Sequence, residues 1–452
     1  MRKGHIFAAI FIFILTMLLT RSIYFKTQEL YGNVGYERFT IRLKGDSLLG
    51  DAFDKADAEE LERILAPEFM TYYAFNKGQA ASEQSRAEAL ICGIKGEYNE
   101  FYNMRLKKGS FLNEKDYTDG NYVAVIDEKL AAKLFGSADV IGLDIYMFDK
   151  KFKIIGIAGD DLSIAGRLIQ KDLPYAYVPL SIMEEAKQSC KIANIELKAW
   201  EDSLDKALIE DKIALIGRNP DDFYIEDWNE LGIMAKQRFD ILFFVIGIYC
   251  ICCLLIAAYK IFRNFIEISK SYLRDNYFSN MIKDMGIKLL VALGKIAGVF
   301  TAMILIWKKI SFDLYISPES FPEDPMSIKE IAGTVRKALS EFIKTDNSYI
   351  LNPNLVISFL SKQGSLIFML SLLCELYILL FIMRNISGYF HSDAEAVRYL
   401  SYGFGVSILL SFFIIYMMGL PAELPVKAMI LLWAGFFAIA VVSSDKYINL
   451  GL

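Results

Sequence analysis

Residues Tyr122–Gly136 read YVAVIDEKLAAKLFG. The alternating, β-branched YVAVID predicts a strand. The charged and apolar spacing of EKLAAKLFG predicts a helix that stops on Gly136, since glycine accepts the left-handed backbone that ends a helix. A strand running straight into a helix is the outline of many nucleotide sites. Phosphate contact, however, needs a GxxxxGK[ST] loop whose amides and lysine cradle the anion, and no such string occurs. GIAGDD (Gly156–Asp161) is a glycine turn, and its Asp160–Asp161 pair reads as solvated rather than cation-binding. Val123, Val125, Leu130, Leu134 and Phe135 are expected in a core. Asp127, Glu128, Lys129 and Lys133 are expected in solvent.

The surrounding chain has 452 residues, 54% of them hydrophobic, and a mean hydropathy of +0.32. That is high for a soluble protein, yet the 23% of charged residues is ordinary. Both hold if the charges are gathered into a domain exposed to water. A net charge of −5 without a basic stripe excludes nucleic acid as a partner. The only histidines are His5 and His391, which excludes a histidine triad or histidine metal site in the long middle of the chain. Cys92 and Cys190 alone lie in polar sequence, either as one disulfide or as two buried thiols. No catalytic residue, cofactor site or metal site is expected.

A spanning helix needs about 20 mostly apolar residues. Ile6–Phe25 qualifies, follows Arg2 and Lys3, and lacks a small-residue cleavage site, which predicts an uncleaved anchor with Arg21 snorkelling. Five more apolar runs follow: Phe239–Ile261, Ile287–Trp307, Val356–Met383, Tyr402–Met418 and Val426–Ser443. The fold class expected is an α-helical transmembrane bundle of about six spans with an inserted α+β extracytoplasmic domain. Lysine and arginine in short loops mark the cytoplasmic side. Arg2 and Lys3, then Lys260, Arg263, Lys270, Arg274 and Lys283, then Arg384 and Arg398, fall on one side. Lys308 and Lys309 fall on the other. The expectation is a multi-pass plasma-membrane protein with both termini in the cytoplasm.

The expected divisions are an anchor over 1–25, an external domain over 26–238, and spans two and three with a cytoplasmic loop over 239–310. An external loop covers 311–354, and spans four to six cover 355–452. The loop carries an amphipathic helix, Ser327–Phe342, with Ile328, Ile331, Val335, Leu339 and Phe342 on one stripe. Within the spans, Lys295 and Glu375 form a candidate intramembrane polar pair, because a charge in lipid needs a partner or a function; a structural bridge or a protonated glutamic acid is favoured over a proton relay. In the external domain, strands are expected at Tyr36–Gly45, Arg86–Ile94, Tyr175–Leu180 and Ala193–Ala199. A hairpin is expected over LDIYMF and KFKIIGIAG, with Asp149–Lys150 near its turn. Ala52–Leu65 and Ser203–Gly217 read as helices, and Asp227–Arg238 as a helical stalk running into span two.

The string Lys107–Asp161 carries a Gly-x-Phe entry (Gly109, Phe111), an acidic turn (Glu114, Asp116), and the strand Val123–Ile126. The helix end Ala131–Gly136, a Gly-x-x-Ile strand (Gly142, Ile145) and the strand Ile154–Ile157 follow. In that order these features resemble the core domain of MacB-type permeases of the MacB/FtsX group of ABC transporters. Lys283–Gly294 and Glu395–Gly405 are similar to the group's cytoplasmic coupling segments. The resemblance implies a permease subunit without catalytic residues, driven by a separate ATPase that docks on the cytoplasmic loops. Arg263, Arg274, Lys283 and Arg398 are the candidate coupling residues. It also implies a homodimer, or a heterodimer with a related permease, working on an exported substrate or an envelope protein. The alternative is an ATPase-independent membrane-anchored sensor or scaffold that binds an envelope partner.

Overall fold

The structure is a computed structural model that describes residues 2–45, 47, 49–159, 163–169, 173–186, 190–200, 204–275, 278–316, 326–330, 332–334, 336, 352–382, 390 and 393–442. It divides into two compact units. One comprises Met1–Ile23, Ala235–Tyr315 and Gln363–Leu452, and the other Tyr24–Met234 and Ile316–Lys362.

The second unit begins within α1 (Arg2–Leu30) and continues through β1 (Phe39–Leu43), α2 (Lys55–Leu65), β2 (Phe69–Ala81) and β3 (Arg86–Gly96). Next come α3 (Tyr98–Phe101), β4 (Leu106–Gly109), α4 (Glu114–Thr118), β5 (Val123–Asp127), α5 (Glu128–Phe135), β6 (Asp144–Met147) and β7 (Lys150–Ala158). Then follow α6 (Ile164–Ile169), β8 (Tyr175–Pro179), α7 (Leu180–Glu185), β9 (Asn194–Lys198), α8 (Lys206–Leu215), β10 (Phe223–Asp227) and the start of α9 (Trp228–Asp275). The strands form one sheet in the order β10-β1-β9-β2-β3-β8-β5-β7-β4, with β6 pairing to β2 and β7. Only β3–β8 and β5–β7 are parallel among the pairs described.

β1, β5, β8 and β9 are covered on both faces, so they alternate between two cores rather than between core and water. On β5, Ala124 and Ile126 join a core with Leu130 and Leu134 of α5, while Val125 faces an aromatic core containing Tyr73, Tyr98, Tyr102 and Phe111. Burying Leu130 and Leu134 contributes about 1.5–3 kcal/mol each. α5 stops at Gly136, which takes φ +66. Asp127 corrects an expectation, because it is buried rather than solvated. Its carboxylate caps α5 by accepting the Leu130 N–H at 2.7 Å, and also accepts the Tyr175 N–H of β8 at 2.9 Å. Val123 and Phe135 are half-buried.

The β6–β7 hairpin turns on Phe148 and Asp149, one residue earlier than expected, and both have positive φ as a two-residue primed turn requires. The long β2 was not anticipated, because its first half is buried on both faces and lacks the alternation that marks a strand. Asp227 ends β10 and is not the start of a stalk; the helix begins at Trp228. Cys92 and Cys190 are free thiols.

The first unit contains most of α1 and α9 together with α10 (Phe278–Ile310), the part of α11 (Asn352–Tyr377) from Gln363 onward with the π-helical turn Ile378–Ile382, α12 (Asp393–Met417) and α13 (Val426–Val442); the first turns of α11, up to Lys362, belong to the second unit. Among the described residues five helices are long and apolar enough to cross a membrane: Lys3–Leu30, Trp228–Arg274, Leu290–Ile310, Asn354–Leu380 and Ala394–Met417. The expected sixth span corresponds to α13, an apolar helix of 17 residues. α9 and α10 meet where Gly247 faces Ile310, so closely that a Cβ at Gly247 would lie 2.4 Å from the isoleucine side chain. The first turn of α1 meets the first turn of α12, with Lys3 paired to Glu395 and the Tyr399 hydroxyl donating to the Lys3 carbonyl at 2.7 Å. Of the expected loop helix, Ile331, Val335, Leu339 and Phe342 lie outside the described residues; Ile328 is exposed.

Candidate functional site: a buried ionic junction at three helix ends

The segment Arg38–Leu43 reads RFTIRL, and period-2 geometry splits it into two stripes. Phe39, Ile41 and Leu43 enter the apolar core formed with α2 and α8. Arg38, Thr40 and Arg42 point the other way, and all three are buried as well. This polar stripe is matched by register. Thr40 lies opposite Glu196 of β9, and Thr71 of β2 lies on the far side of Glu196. Thr40 Oγ1 therefore donates to Glu196 Oε2 at 2.7 Å.

Arg38 and Glu196 have fully buried side chains, and Arg38 Nε lies 3.9 Å from Glu196 Oε2. Arg38 Nη1 donates to the Phe101 carbonyl at 3.0 Å. The guanidinium lies over three rings, with its carbon 4.3 Å from the centroid of Tyr31, 5.0 Å from Tyr102 and 5.2 Å from Trp228. The N–H groups without an oxygen partner are thus enclosed by π-faces, each such contact worth about 2 kcal/mol when desolvated. Burial opposes the Arg38 charge, but Glu196, Tyr102 and Tyr31 outweigh it and hold its pKa above the ordinary value. Burial, followed by the Glu196 carboxylate, pushes the Tyr102 phenol well above its usual range.

Three helix ends converge on this pair. Tyr31 directly follows α1, Trp228 opens α9, and Asn354 lies in the first turn of α11. The Trp228 indole N–H donates to Thr40 Oγ1 at 2.6 Å, and the Trp228 amide to the Arg38 carbonyl at 3.0 Å. Asn354 Nδ2 donates to Glu196 Oε1 at 3.0 Å, and the Tyr102 hydroxyl donates to the same oxygen. Ile357, one turn further along α11, packs with Tyr31 and Trp228 in a small apolar cluster. Past α1 the chain runs so close to α3 that a Cβ at Gly32 would lie 2.2 Å from the Glu100 carbonyl oxygen. The arrangement ties three helix ends to one buried charge pair.

The residues singled out from sequence lie elsewhere. Arg263 and Arg274 are exposed near the C-terminal end of α9, with Arg263 paired to Glu267 at 2.9 Å. Lys283 belongs to the first turns of α10, and Arg398 is exposed on the second turn of α12. Lys295 and Glu375 are not brought together: Lys295 is exposed on α10, Glu375 is 1% exposed on α11, and no ion pair joins them among the described residues. The helix faces, not the sequence depth, decide this. The described residues hold no cluster of His, Cys, Asp and Glu able to bind a metal. The junction itself was missed because RFTIRL reads as a half-exposed strand. The signal was Glu196, a carboxylate set between the apolar Ile195 and Leu197 of the strand NIELK.

Residues 6–211 match the family of MacB-like periplasmic core domains. Over 120 residues, 26% of this chain, the sequence is 24% identical to the uncharacterized ABC transporter permease YknZ of Bacillus subtilis. Over 148 residues, 31% of this chain, it is 25% identical to the macrolide export ATP-binding/permease protein MacB of Aggregatibacter actinomycetemcomitans. The chain spans 29% and 22% of the lengths of these two relatives. Among solved structures, the extracellular domain of YknZ aligns over 42% of this chain and 99% of its own, with 16% identity and a TM-score of 0.31. The periplasmic region of MacB from Actinobacillus actinomycetemcomitans aligns over 45% and 96%, with 20% identity and a TM-score of 0.35.

Proposed function

We propose, for a membrane protein that carries a MacB-like core domain and is of the MacB/YknZ permease type, that it is the membrane subunit of an ABC-type complex. In this reading a separate ATPase chain docks on cytoplasmic segments that include Arg263, Arg274, Lys283 and Arg398. ATP-driven closure displaces α9, and the sheet domain moves on the far side of the bilayer for export or envelope signalling. Both termini are cytoplasmic, and the permease works as a homodimer or beside a related permease.

The observation that carries the reading is the junction. α9 is one helix of 48 residues, about 72 Å at 1.5 Å per residue, against a hydrocarbon core of about 30 Å. Its first residue is tied by two hydrogen bonds to Thr40 and to the Arg38 backbone. A displacement at its far end therefore has an unbroken helical route to the buried charge pair. The test is affinity purification of the tagged full chain from the membranes of its native cells, with the co-purifying proteins searched for an ABC ATPase. The expected result is recovery of the ATPase, abolished by Arg263→Glu with Arg398→Glu while the sheet domain stays folded. An intact chain that never retains an ATPase overturns the proposal in favour of a scaffold.

A further inference from the structure

We infer that Glu375 is a proton-binding site within the membrane bundle, its carboxyl held neutral between α11 and α9 and the proton its bound ligand. Glu375 is 1% exposed, and among the described residues no side chain makes a hydrogen bond to either carboxyl oxygen. One turn earlier on the same helix, Ser371 is fully buried with its hydroxyl also unpartnered. The Glu375 carboxyl lies against the main chain of α9 at Ile246.

Among the described residues, the surroundings supply no counter-charge. α9 carries no charged residue between Asp240 and Lys260, and its titratable groups nearest Ile246 are Tyr249 and the Cys250 thiol. α12 has no charged residue after Arg398, α13 only Lys427, and α1 none between Lys3 and Arg21. Lys295 of α10 is exposed and unpaired with Glu375. An isolated carboxylate in such a place is far costlier than its neutral acid, so the group keeps its proton instead of ionising. A second feature points to the same place. The π-helical turn Ile378–Ile382 starts within one turn of Glu375 and departs from the regular helical ladder. Such turns are frequent at functional positions. The proton leaves only in an arrangement of α11 that admits water or a counter-charge.

The experiment uses the full chain in lipid and does not depend on any ATPase. Infrared spectra at neutral pH are expected to show the carbonyl stretch of a carboxylic acid, shifted in D2O and missing from Glu375→Gln. Dicyclohexylcarbodiimide, which adds across protonated carboxyls in apolar surroundings, is expected to label the Glu375 peptide. A water-soluble carbodiimide is expected not to. Should Glu375→Gln fail to insert, the labelling arm on the unaltered protein decides. An acid band that Glu375→Gln leaves unchanged overturns the inference. So does a Glu375 peptide that the apolar reagent leaves unlabelled, or one that the water-soluble reagent labels.

Discussion

The Tyr102 hydroxyl and the Asn354 amide donate to one and the same oxygen, Oε1 of Glu196. A residue that directly follows the short helix α3 and one from the first turn of α11 thus share one buried acceptor. Its other oxygen is taken by Thr40, and Arg38 supplies the opposite charge. Removing the cation leaves that carboxylate uncompensated. Arg38→Met is expected to cost about 3–5 kcal/mol of stability, and Arg38→Met with Glu196→Leu distinctly less than the sum of the two single changes. Denaturant unfolding of the four proteins in detergent measures the coupling. Additive losses would refute a coupled pair.

Asn354→Ala removes one donor to Glu196 and should cost about 1–3 kcal/mol. The loss should be local. Hydrogen exchange is expected to rise in the first turns of α11 while β5 and β7 remain protected. Uniform loss of protection would mean that the sheet itself depends on this contact.

Tyr31, Tyr73, Tyr98, Tyr102 and Tyr177 all have pKa values held well above that of a free phenol, with burial the largest cause in each. A group raised on folding stabilises below its unfolded pKa and loses that contribution as pH rises. The unfolded chain ionises these phenols from about pH 10. Stability should therefore fall steeply above that pH. Tyrosinate absorbance is expected to show these five ionising together with unfolding, not singly before it. A smooth titration of every tyrosine with the sheet intact would contradict this.

Gly32→Ala places a methyl against the Glu100 carbonyl oxygen and is expected to cost about 1–3 kcal/mol, since backbone cannot turn aside as a flexible side chain can. Gly50→Ala is the control, because nothing lies within 4 Å of its new Cβ. Melting temperatures of the two variants compare the sites directly.

The strand–helix unit around Tyr122–Gly136 and the long apolar helices were legible because each obeys one local period. Gly136 ended α5 as its chemistry requires, and the hydrophobic runs carried their own length. The junction was not legible, for a physical reason. Arg38, Thr40 and Arg42 alternate with apolar residues just as a solvated strand face does, and only the paired register reveals that Glu196 sits opposite. Asn354 lies 158 residues from Glu196, a separation no periodicity spans. Asp127 misled in the same way: a carboxylate that caps a helix looks like a surface charge until a second strand arrives to use its other oxygen.

β1 and β10 are antiparallel neighbours over Phe39–Leu43 and Phe223–Asp227. The first strand after α1 and the last before α9 are consequently zipped together by their own backbone, independent of side-chain identity. The sequence between them leaves and returns at this one strand pair. Such a cassette can be lengthened, trimmed or exchanged at its interior turns without altering the spacing at its threshold. Evolution can therefore refit the cassette's interior turns while the helices that carry it stay as they are.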